Sequence, residues 1–600
     1  MGANLFFAGT GATLELIAAP VDAAQLQSLL QAWRGRVSQA RTLLGWTETG
    51  IAVRPHANGV SLSIAAPVDQ LFLATEVNEW ALCASLLERD PARGADLEVA
   101  LLAAALENAP ADTPVSAIDA PVLEQGAACA RFRRLQASEA RPDLRAVLAA
   151  AQLRGLPVIL DEKTLTLGAG VGGQSYPLEA LPAPEAIPWA SLRDIPTALV
   201  TGSNGKTTTV RLLAACAREQ GWRAAYNCTD GVFSGAEALA RGDYSGPAGA
   251  RRVLRDARTE AAILEVARGG ILRRGVAITR AHVVVVTNIS ADHFGEYGID
   301  DLDGLADTKL AIAGVLPQGG LLVMNADDPL LRAKAEGLQQ RFGRAPVLAW
   351  FALDFDHPLL REHRARAGAT CGVRDGQLLL GLAGGAGRGG AEALTVNLGA
   401  VNALPLTVDG HATYNIANLA GAALAATALG VAASAIASVY ARFGAALEDN
   451  PGRMMRFDAN GVRVLVDYAH NPDGLRGFLQ VASQMRAPRG RLGLVLGHAG
   501  NRKDEDVREL ARVAAGFHPD LIVIKEDEAH LRGRSAGDVP RIIRAELLRL
   551  GIPDAALPMC ASEIDAARRA LEWARPGDVL ALPIHASDAR AAVLQLLQTR

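Results

Sequence analysis

Of the 60 basic residues in this 600-residue chain only six are lysines, so arginine is the default carrier of positive charge. A lysine kept against that bias marks a place that needs a compact ammonium or a reactive amine. Lys206 lies in Thr201-Gly-Ser-Asn-Gly-Lys-Thr-Thr-Thr209, after the apolar run Ala198-Leu-Val200 and before the helix-forming Val210-Arg-Leu-Leu-Ala-Ala-Cys216. Glycines at 202 and 205 let the backbone N–H groups around Asn204 turn inward on phosphate oxygens, and the helix that starts near Thr207 and Thr208 presents its positive end. Lys206 can reach the outer phosphates, and the Thr207 hydroxyl can hold Mg²⁺. The segment predicts a bound nucleoside triphosphate. It is a short form of the loop: only Ser203 and Asn204 separate Gly202 from Gly205, where the general pattern has four residues.

Other segments bring metal and phosphate chemistry to the same edge. Glu265 ends the apolar run Ala262-Ile-Leu and precedes Ala267-Arg-Gly-Gly270. A carboxylate at the carboxyl end of a parallel strand lies where ligands bind in open sheets, so Glu265 is a candidate Mg²⁺ ligand. The run Val283–Val286 delivers Thr287-Asn-Ile-Ser-Ala-Asp-His293, which puts Asp292 and His293 near the nucleotide. Lys309, in Ala306-Asp-Thr-Lys-Leu310, follows an acidic loop holding Glu296, Asp300, Asp301 and Asp303. Arginine could serve there as a salt-bridge partner, so the lysine again points to an amine.

The elements that must position these groups are legible as an α/β chain. Residues 1–190 mix short alternating strands such as Val60–Ile64 with helices at Leu97–Leu106 and Leu144–Arg154, and end in the proline-rich linker Leu181–Pro188. A central block, 191–450, alternates continuous apolar strands with helices, the signature of a parallel sheet covered on both faces. Within it, a β-rich insertion with glycine turns is expected at about 345–410, where Ala383–Gly390 reads as a loop tip. After Asn450-Pro-Gly452 a C-terminal Rossmann-like domain, 451–600, is expected, without the G-x-G-x-x-G fingerprint of a nicotinamide site.

The bulk numbers fit. Six hundred residues predict about three to four domains. A net charge of −4 with scattered arginines argues against nucleic acid and for small-molecule partners. Six widely spaced cysteines read as buried thiols of a reducing compartment, and the N-terminus shows no secretory pattern, so a cytoplasmic protein is expected. The uncharged stretch Ile416–Tyr440 is dominated by alanine, which contributes little insertion energy, and reads as a buried helix pair with no membrane involved.

Taken together the motifs resemble the ATP-dependent Mur ligases, and within them the ligase half of cyanophycin synthetases. The resemblance rests on Gly202-Ser-Asn-Gly-Lys-Thr207, Glu265–Gly270, Thr287–His293, Asn325-Ala-Asp-Asp-Pro329, the pair Asn415 and Asn418, and Asp467-Tyr-Ala-His-Asn-Pro472. The cyanophycin branch is suggested by Thr229-Asp-Gly231, Val253–Asp256, Asn450–Arg453, Arg502–Leu510 and Lys525-Glu-Asp527 with Leu531–Arg534. It implies that Lys206 and Thr207 bind phosphates and a first Mg²⁺ completed by Glu265, and that His293 and a carbamylated Lys309 hold a second. It also implies Asn415 and Asn418 by the adenine, Asp467 on the ribose, and Arg453 aligning the nucleotide across an interdomain cleft. The implied reaction turns an acceptor carboxylate into an acyl phosphate, from which an amine displaces phosphate to leave an amide, with ADP as the other product.

One departure shapes the expectation. About 190 residues precede the phosphate loop, too few for both an N-terminal domain and the ATP-grasp domain of a full cyanophycin synthetase, so one active site is expected. Such an enzyme either polymerises a preformed dipeptide, such as β-aspartyl-arginine, or adds one amino compound to another carboxylate. Asp527, Glu528, Arg532 and Arg534 form a mixed-charge loop that either reads the incoming amine or is a solvated salt-bridged surface. A folylpolyglutamate-like or peptidoglycan-precursor ligase and a silent nucleotide-binding scaffold are the rival readings. Related synthetases imply at least a homodimer.

Overall fold

The computed structural model describes residues 2–598 except 18–21, 49, 110–113, 115–117, 292–293, 383–393, 501 and 527–530. The expected loop tip at Ala383–Gly390 falls outside the described residues. Every strand of the central sheet that reads as an unbroken apolar run is covered on both sides, and Val283–Val286 is buried at all four positions.

The central sheet has eleven strands. Across it run Glu237–Arg241, Gly231–Ser234, Ala224–Cys228, Ala261–Glu265, Thr197–Thr201, Val283–Val286, Leu321–Asn325, Val347–Asp354, Thr370–Arg374, Gln377–Gly381 and Thr395–Ala400. The seven from Ala224–Cys228 to Thr370–Arg374 are parallel, and antiparallel pairs finish each edge. The β-rich stretch at 345–410 takes the form of a continuation of this sheet. Strand Thr197–Thr201 sits between Ala261–Glu265 and Val283–Val286, and the chain passes from one side of it to the other. That reversal opens a crevice at the carboxyl ends, where Gly202, Glu265 and Thr287 emerge.

One face is closed by the helix that starts at Lys206, Lys206–Glu219, packed against the alanine-rich helix Thr413–Leu429. Small side chains allow close approach: a Cβ on Gly421 would come within 3.1 Å of the Phe351 ring. Helix Ala433–Tyr440 completes the pair expected over Ile416–Tyr440, and Tyr440 anchors it by donating to Leu419 O at 2.6 Å. Among the described residues no helix is long and apolar enough to cross a membrane.

The C-terminal unit has a six-stranded sheet in the order Met455–Ala459, Val462–Asp467, Val579–Pro583, Leu492–Leu496, Leu521–Lys525 and Met559–Cys560. All neighbours but the first pair are parallel, with helices between, as the Rossmann-like reading requires. The chain is thus an α/β protein of three domains with mixed, mainly parallel sheets. All six cysteines are free thiols.

The N-terminal unit pairs Gly11–Ile17 with Gly59–Ala65 and Gly59–Ala65 with Ile51–His56, and packs this antiparallel sheet on helices Ala23–Leu44 and Leu71–Arg89. Its core is pinned by the buried Trp33, whose indole donates to Asn78 Oδ1 at 3.0 Å while Asn78 donates to Leu62 O. A second small sheet of Val158–Leu160, Thr164–Leu167 and Gln174–Pro177 leads into the linker.

Two features tie this unit to the central one. Ala3 is buried in the central core and accepts from Val276 N at 2.8 Å. The hairpin also grips the loop that runs toward Lys309: Arg54 Nη1 donates to Gly298 O at 2.5 Å, Ala57 N donates to Asp300 Oδ2 at 3.0 Å, and a Cβ on Gly298 would lie 2.6 Å from the His56 ring. Asp301 then caps helix Leu302–Leu310, accepting from Gly304 N at 2.7 Å. Arg54→Ala removes a charged donor, at a cost on the order of 2 kcal/mol. The variant is expected to melt earlier and to be cleaved faster by chymotrypsin after Tyr297 than wild type; equal cleavage rates would show that the hairpin does not restrain this loop.

Candidate active site

The phosphate loop is held open from below. Ser203 N and Asn204 N donate to Asn288 O and Oδ1, both at 2.9 Å, and Thr287 Oγ1 donates to Asn204 O at 2.6 Å. These bonds fix the loop to the segment that follows Val283–Val286. Gly202 has φ +148°, and a Cβ there would stand 1.8 Å from Thr287 Oγ1; Gly205 has φ +86°, and a Cβ there would stand 2.2 Å from Asn418 Oδ1. Only glycine fits at either position.

Two lysine amines converge on one oxygen. Lys206 Nζ donates to Gly202 O at 2.9 Å and to Ser203 O at 3.0 Å, and Lys309 Nζ also reaches Gly202 O at 2.9 Å. Lys309 is 3% exposed, yet it lines the cleft. The Lys206 ammonium beside a helix N-terminus concentrates positive potential where an anion would sit, and the Lys309 amine stands next to it.

Glu265 is 1% exposed and accepts from Thr207 Oγ1 at 2.8 Å through Oε2. Among the described residues its Oε1 is buried and meets no hydrogen-bond donor. Burial pushes its carboxyl above the usual range, against the pull of Lys206 and the Thr207 hydroxyl. A buried carboxylate with an orphaned oxygen next to a threonine hydroxyl is a donor set that suits a small hard cation such as Mg²⁺.

The opposite wall comes from the C-terminal unit, and the cleft between them encloses about 950 Å³. Arg453 donates to Thr229 Oγ1 at 3.2 Å and lies 4.2 Å over the Tyr468 ring. Asp467 accepts from Met454 N at 2.6 Å, and burial raises its carboxyl although Arg453 opposes the shift. Asn471 Nδ2 donates to Asn204 Oδ1 at 2.9 Å, so the two walls meet at the phosphate loop itself.

With this geometry in place, comparison with known proteins is informative. Residues 200–346 match the Mur ligase middle domain and residues 452–582 match the Mur ligase, glutamate ligase domain. A UDP-N-acetylmuramoyl-L-alanyl-D-glutamate--2,6-diaminopimelate ligase of Alkalilimnicola ehrlichii is 31% identical over 395 residues, covering 64% of this chain and 69% of that protein. This chain belongs to the Mur ligase family. The relatives of that family are acid–amino-acid ligases, which form carbon–nitrogen bonds, and the family implies ATP. The cyanophycin synthetase of Synechocystis sp. is 36% identical over 407 residues, 68% of this chain but 44% of that protein. The chain therefore spans less than half the length of the cyanophycin synthetases it matches. Among solved structures, E. coli FolC in complex with DHPP and ADP aligns with a TM-score of 0.47 at 21% identity, covering 68% of this chain and 89% of that one.

Of the residues singled out from the sequence, Asn204, Gly205, Lys206, Thr207, Thr208, Glu265, Lys309, Asn415, Asn418, Arg453 and Asp467 line this Mur ligase cleft. Asn418 packs against Gly205, at the phosphate end, and donates to Asn415 Oδ1 at 3.1 Å. Arg532 also faces the cleft. Arg534 braces the turn behind it, donating to Gly500 O at 2.8 Å and pairing with Asp504 at 2.8 Å. His293, Asp527 and Glu528 lie outside the described residues.

Sequence reasoning missed a clasp between the walls. Asp230 takes Arg211 at 2.7 Å from the phosphate-loop helix and Arg590 at 2.9 Å from the last helix, Ser587–Gln598. Arg211 also donates to Asn450 Oδ1 and Pro451 O, both at 3.1 Å, and Asn450 reaches Thr208 Oγ1 at 3.2 Å. Thr229-Asp-Gly231 and Asn450–Arg453 stood out only as marks of resemblance; no spacing rule joins residues 360 positions apart. Burial opposes ionisation of Asp230, but Arg211, Arg453 and Arg590 together hold its carboxyl below the usual range. A depressed carboxylate contributes stability that is present above the ordinary pKa of about 4 and is lost as pH falls through the folded value. Asp230→Asn is expected to lose about 3 kcal/mol at pH 7, read as a lower melting temperature, with the gap to wild type closing below about pH 4. A gap unchanged by acid would show that the charge of Asp230 is not what matters.

Proposed function

We propose that the chain is a cyanophycin-synthetase-like amide ligase. ATP phosphorylates an acceptor carboxylate, and the resulting acyl phosphate is captured by the amino group of an amino acid or of a dipeptide such as β-aspartyl-arginine. The observation that carries this reading is the convergence of Lys206 and Lys309 on Gly202 O beside the orphaned Glu265 oxygen, in a cleft shared with the C-terminal unit. Similarity to cyanophycin synthetases over the catalytic half favours that branch, and similarity to diaminopimelate ligases supports the same bond type.

Thr207 and Glu265 would hold one Mg²⁺, and His293 with a carbamate on Lys309 a second. Bound there, magnesium supplies neutralisation of charge on the phosphate oxygens. The chain's own groups do the rest. Inward N–H groups of the loop and the Lys206 ammonium hold the β- and γ-phosphates in line with the acceptor. A carboxylate oxygen attacks the γ-phosphorus as the bond to ADP breaks. The incoming nitrogen then attacks the acyl carbon, phosphate leaves, and the nitrogen's proton passes to solvent. Arg453 and Asp467 keep the nucleotide against the C-terminal wall while the amine is delivered, and closure of that wall excludes water that would hydrolyse the acyl phosphate.

A panel of amino acids and β-linked dipeptides, screened for phosphate release with Mg·ATP and followed by mass spectrometry, should give ADP, phosphate and one new amide. Lys206→Ala and Lys309→Arg should each lower turnover by about 10²-fold or more. Full activity in Lys309→Arg would remove the carbamate from the scheme, and ATP binding with neither phosphate release nor a new amide would leave only a nucleotide-binding scaffold.

A further inference from the structure

Beneath the C-terminal wall the carboxyl ends of strands Leu492–Leu496, Leu521–Lys525 and Val579–Pro583 converge. Strand Leu521–Lys525 ends on Lys525, whose side chain is 0% exposed. It is one of the six lysines in the chain, and nothing in the phosphate chemistry employs it. Its amine donates to the Glu563 carboxylate and to Pro583 O at 2.7 Å, and lies 3.5 Å from His585 Nδ1. A Cβ on the neighbouring Gly497 would stand 2.5 Å from Lys525 Cγ, so the stem runs along bare backbone.

Glu563 joins this amine to a turn. Its oxygens also accept from His585 N at 2.8 Å and Ala586 N at 2.9 Å, so one carboxylate binds the ammonium and the backbone that carries His585. The His585 ring lines the cleft, meets Tyr468 edge-on at 5.4 Å, and places Nε2 3.1 Å from Ala469 O. Tyr468 and Ala469 directly follow Asp467, and Tyr468 is the ring under Arg453. With an ammonium on its Nδ1 side and a carbonyl on its Nε2 side, the ring satisfies both neighbours only if Nδ1 accepts and Nε2–H donates.

We propose that Lys525 is a positioning residue: with Glu563 it fixes the Nε2–H tautomer and orientation of His585, and His585 holds the Asp467–Ala469 segment in the shape that receives the nucleotide. The inference rests on Asp467 and Arg453 facing the nucleotide. It explains why a lysine is buried under a cleft in which it makes no contact with phosphate. Removing one partner of a buried ion pair leaves an uncompensated charge, whereas replacing both leaves a neutral, packable pair.

The test is ADP binding to the full chain by titration calorimetry with Mg²⁺ present, which needs no knowledge of the carboxylate or amine. The neutral pair Lys525→Met with Glu563→Gln is compared with wild type and with the same pair in a His585→Gln background. Glutamine keeps an N–H for Ala469 O and has no tautomer to lose. The neutral pair is expected to weaken ADP binding at least tenfold while its melting temperature stays within a few degrees, and to cause less than a twofold further loss in the His585→Gln background. A neutral pair that binds ADP like wild type, or one that loses the same factor in both backgrounds, overturns the proposal. A wild-type chain that fails to bind ADP overturns the nucleotide reading and this inference with it, so the two failures are distinct.

Discussion

Two amines aimed at the carbonyl oxygen of Gly202 are the constraint from which the rest of the structure follows. Positive charge concentrated at the carboxyl edge of a parallel sheet, next to a helix N-terminus, is stable only if backbone holds it there and an anion can neutralise it. The sheet supplies the first requirement. Strands Thr197–Thr201 and Val283–Val286 lie side by side, so the loop after one is bonded to the loop after the other and neither can relax away. The alanine-rich helix Thr413–Leu429 closes in from behind until Asn418 touches Gly205, which leaves an opening toward the C-terminal unit.

That opening faces the C-terminal unit, and the contacts between the two are of both kinds: Val408, Ala412 and Tyr414 pack in one apolar cluster with Met454, Leu475 and Phe478, and polar pairs surround the cleft. The polar pairs are Asn471 with Asn204, Arg453 with Thr229, and Asp230 between Arg211 and Arg590. The N-terminal unit contributes differently. It sends Ala3 into the central core and grips Gly298 and Asp300, so it acts on the segment leading to Lys309 without lining the cleft among the described residues.

The sequence made the parallel sheets legible because both faces are covered, and strands such as Val283–Val286 then read as unbroken apolar runs. Ile416–Tyr440 read as a buried helix pair because alanine offers close packing but little insertion energy. Lys206, Thr207 and Glu265 could be found because each ends a strand or opens a helix at the same sheet edge, a local signal, and Lys309, in the last turn of its helix, because lysine is scarce in the chain. The Asp230 clasp and the Lys525–Glu563–His585 network could not, because their partners are far apart in sequence and meet only through topology. The edge strands between 345 and 410 were equally hidden: whether short strands with glycine turns extend a sheet or leave it is decided by pairing, not by composition.

The central claim is that the charge gathered at Gly202 serves to make an acyl phosphate. It is tested most directly by oxygen transfer. An acceptor labelled with ¹⁸O in its carboxylate is turned over with unlabelled ATP, and the released phosphate is examined by ³¹P NMR. One ¹⁸O in each phosphate released with product is the expected result, because the attacking carboxylate oxygen leaves with the phosphoryl group. Amide formed alongside wholly unlabelled phosphate would contradict it.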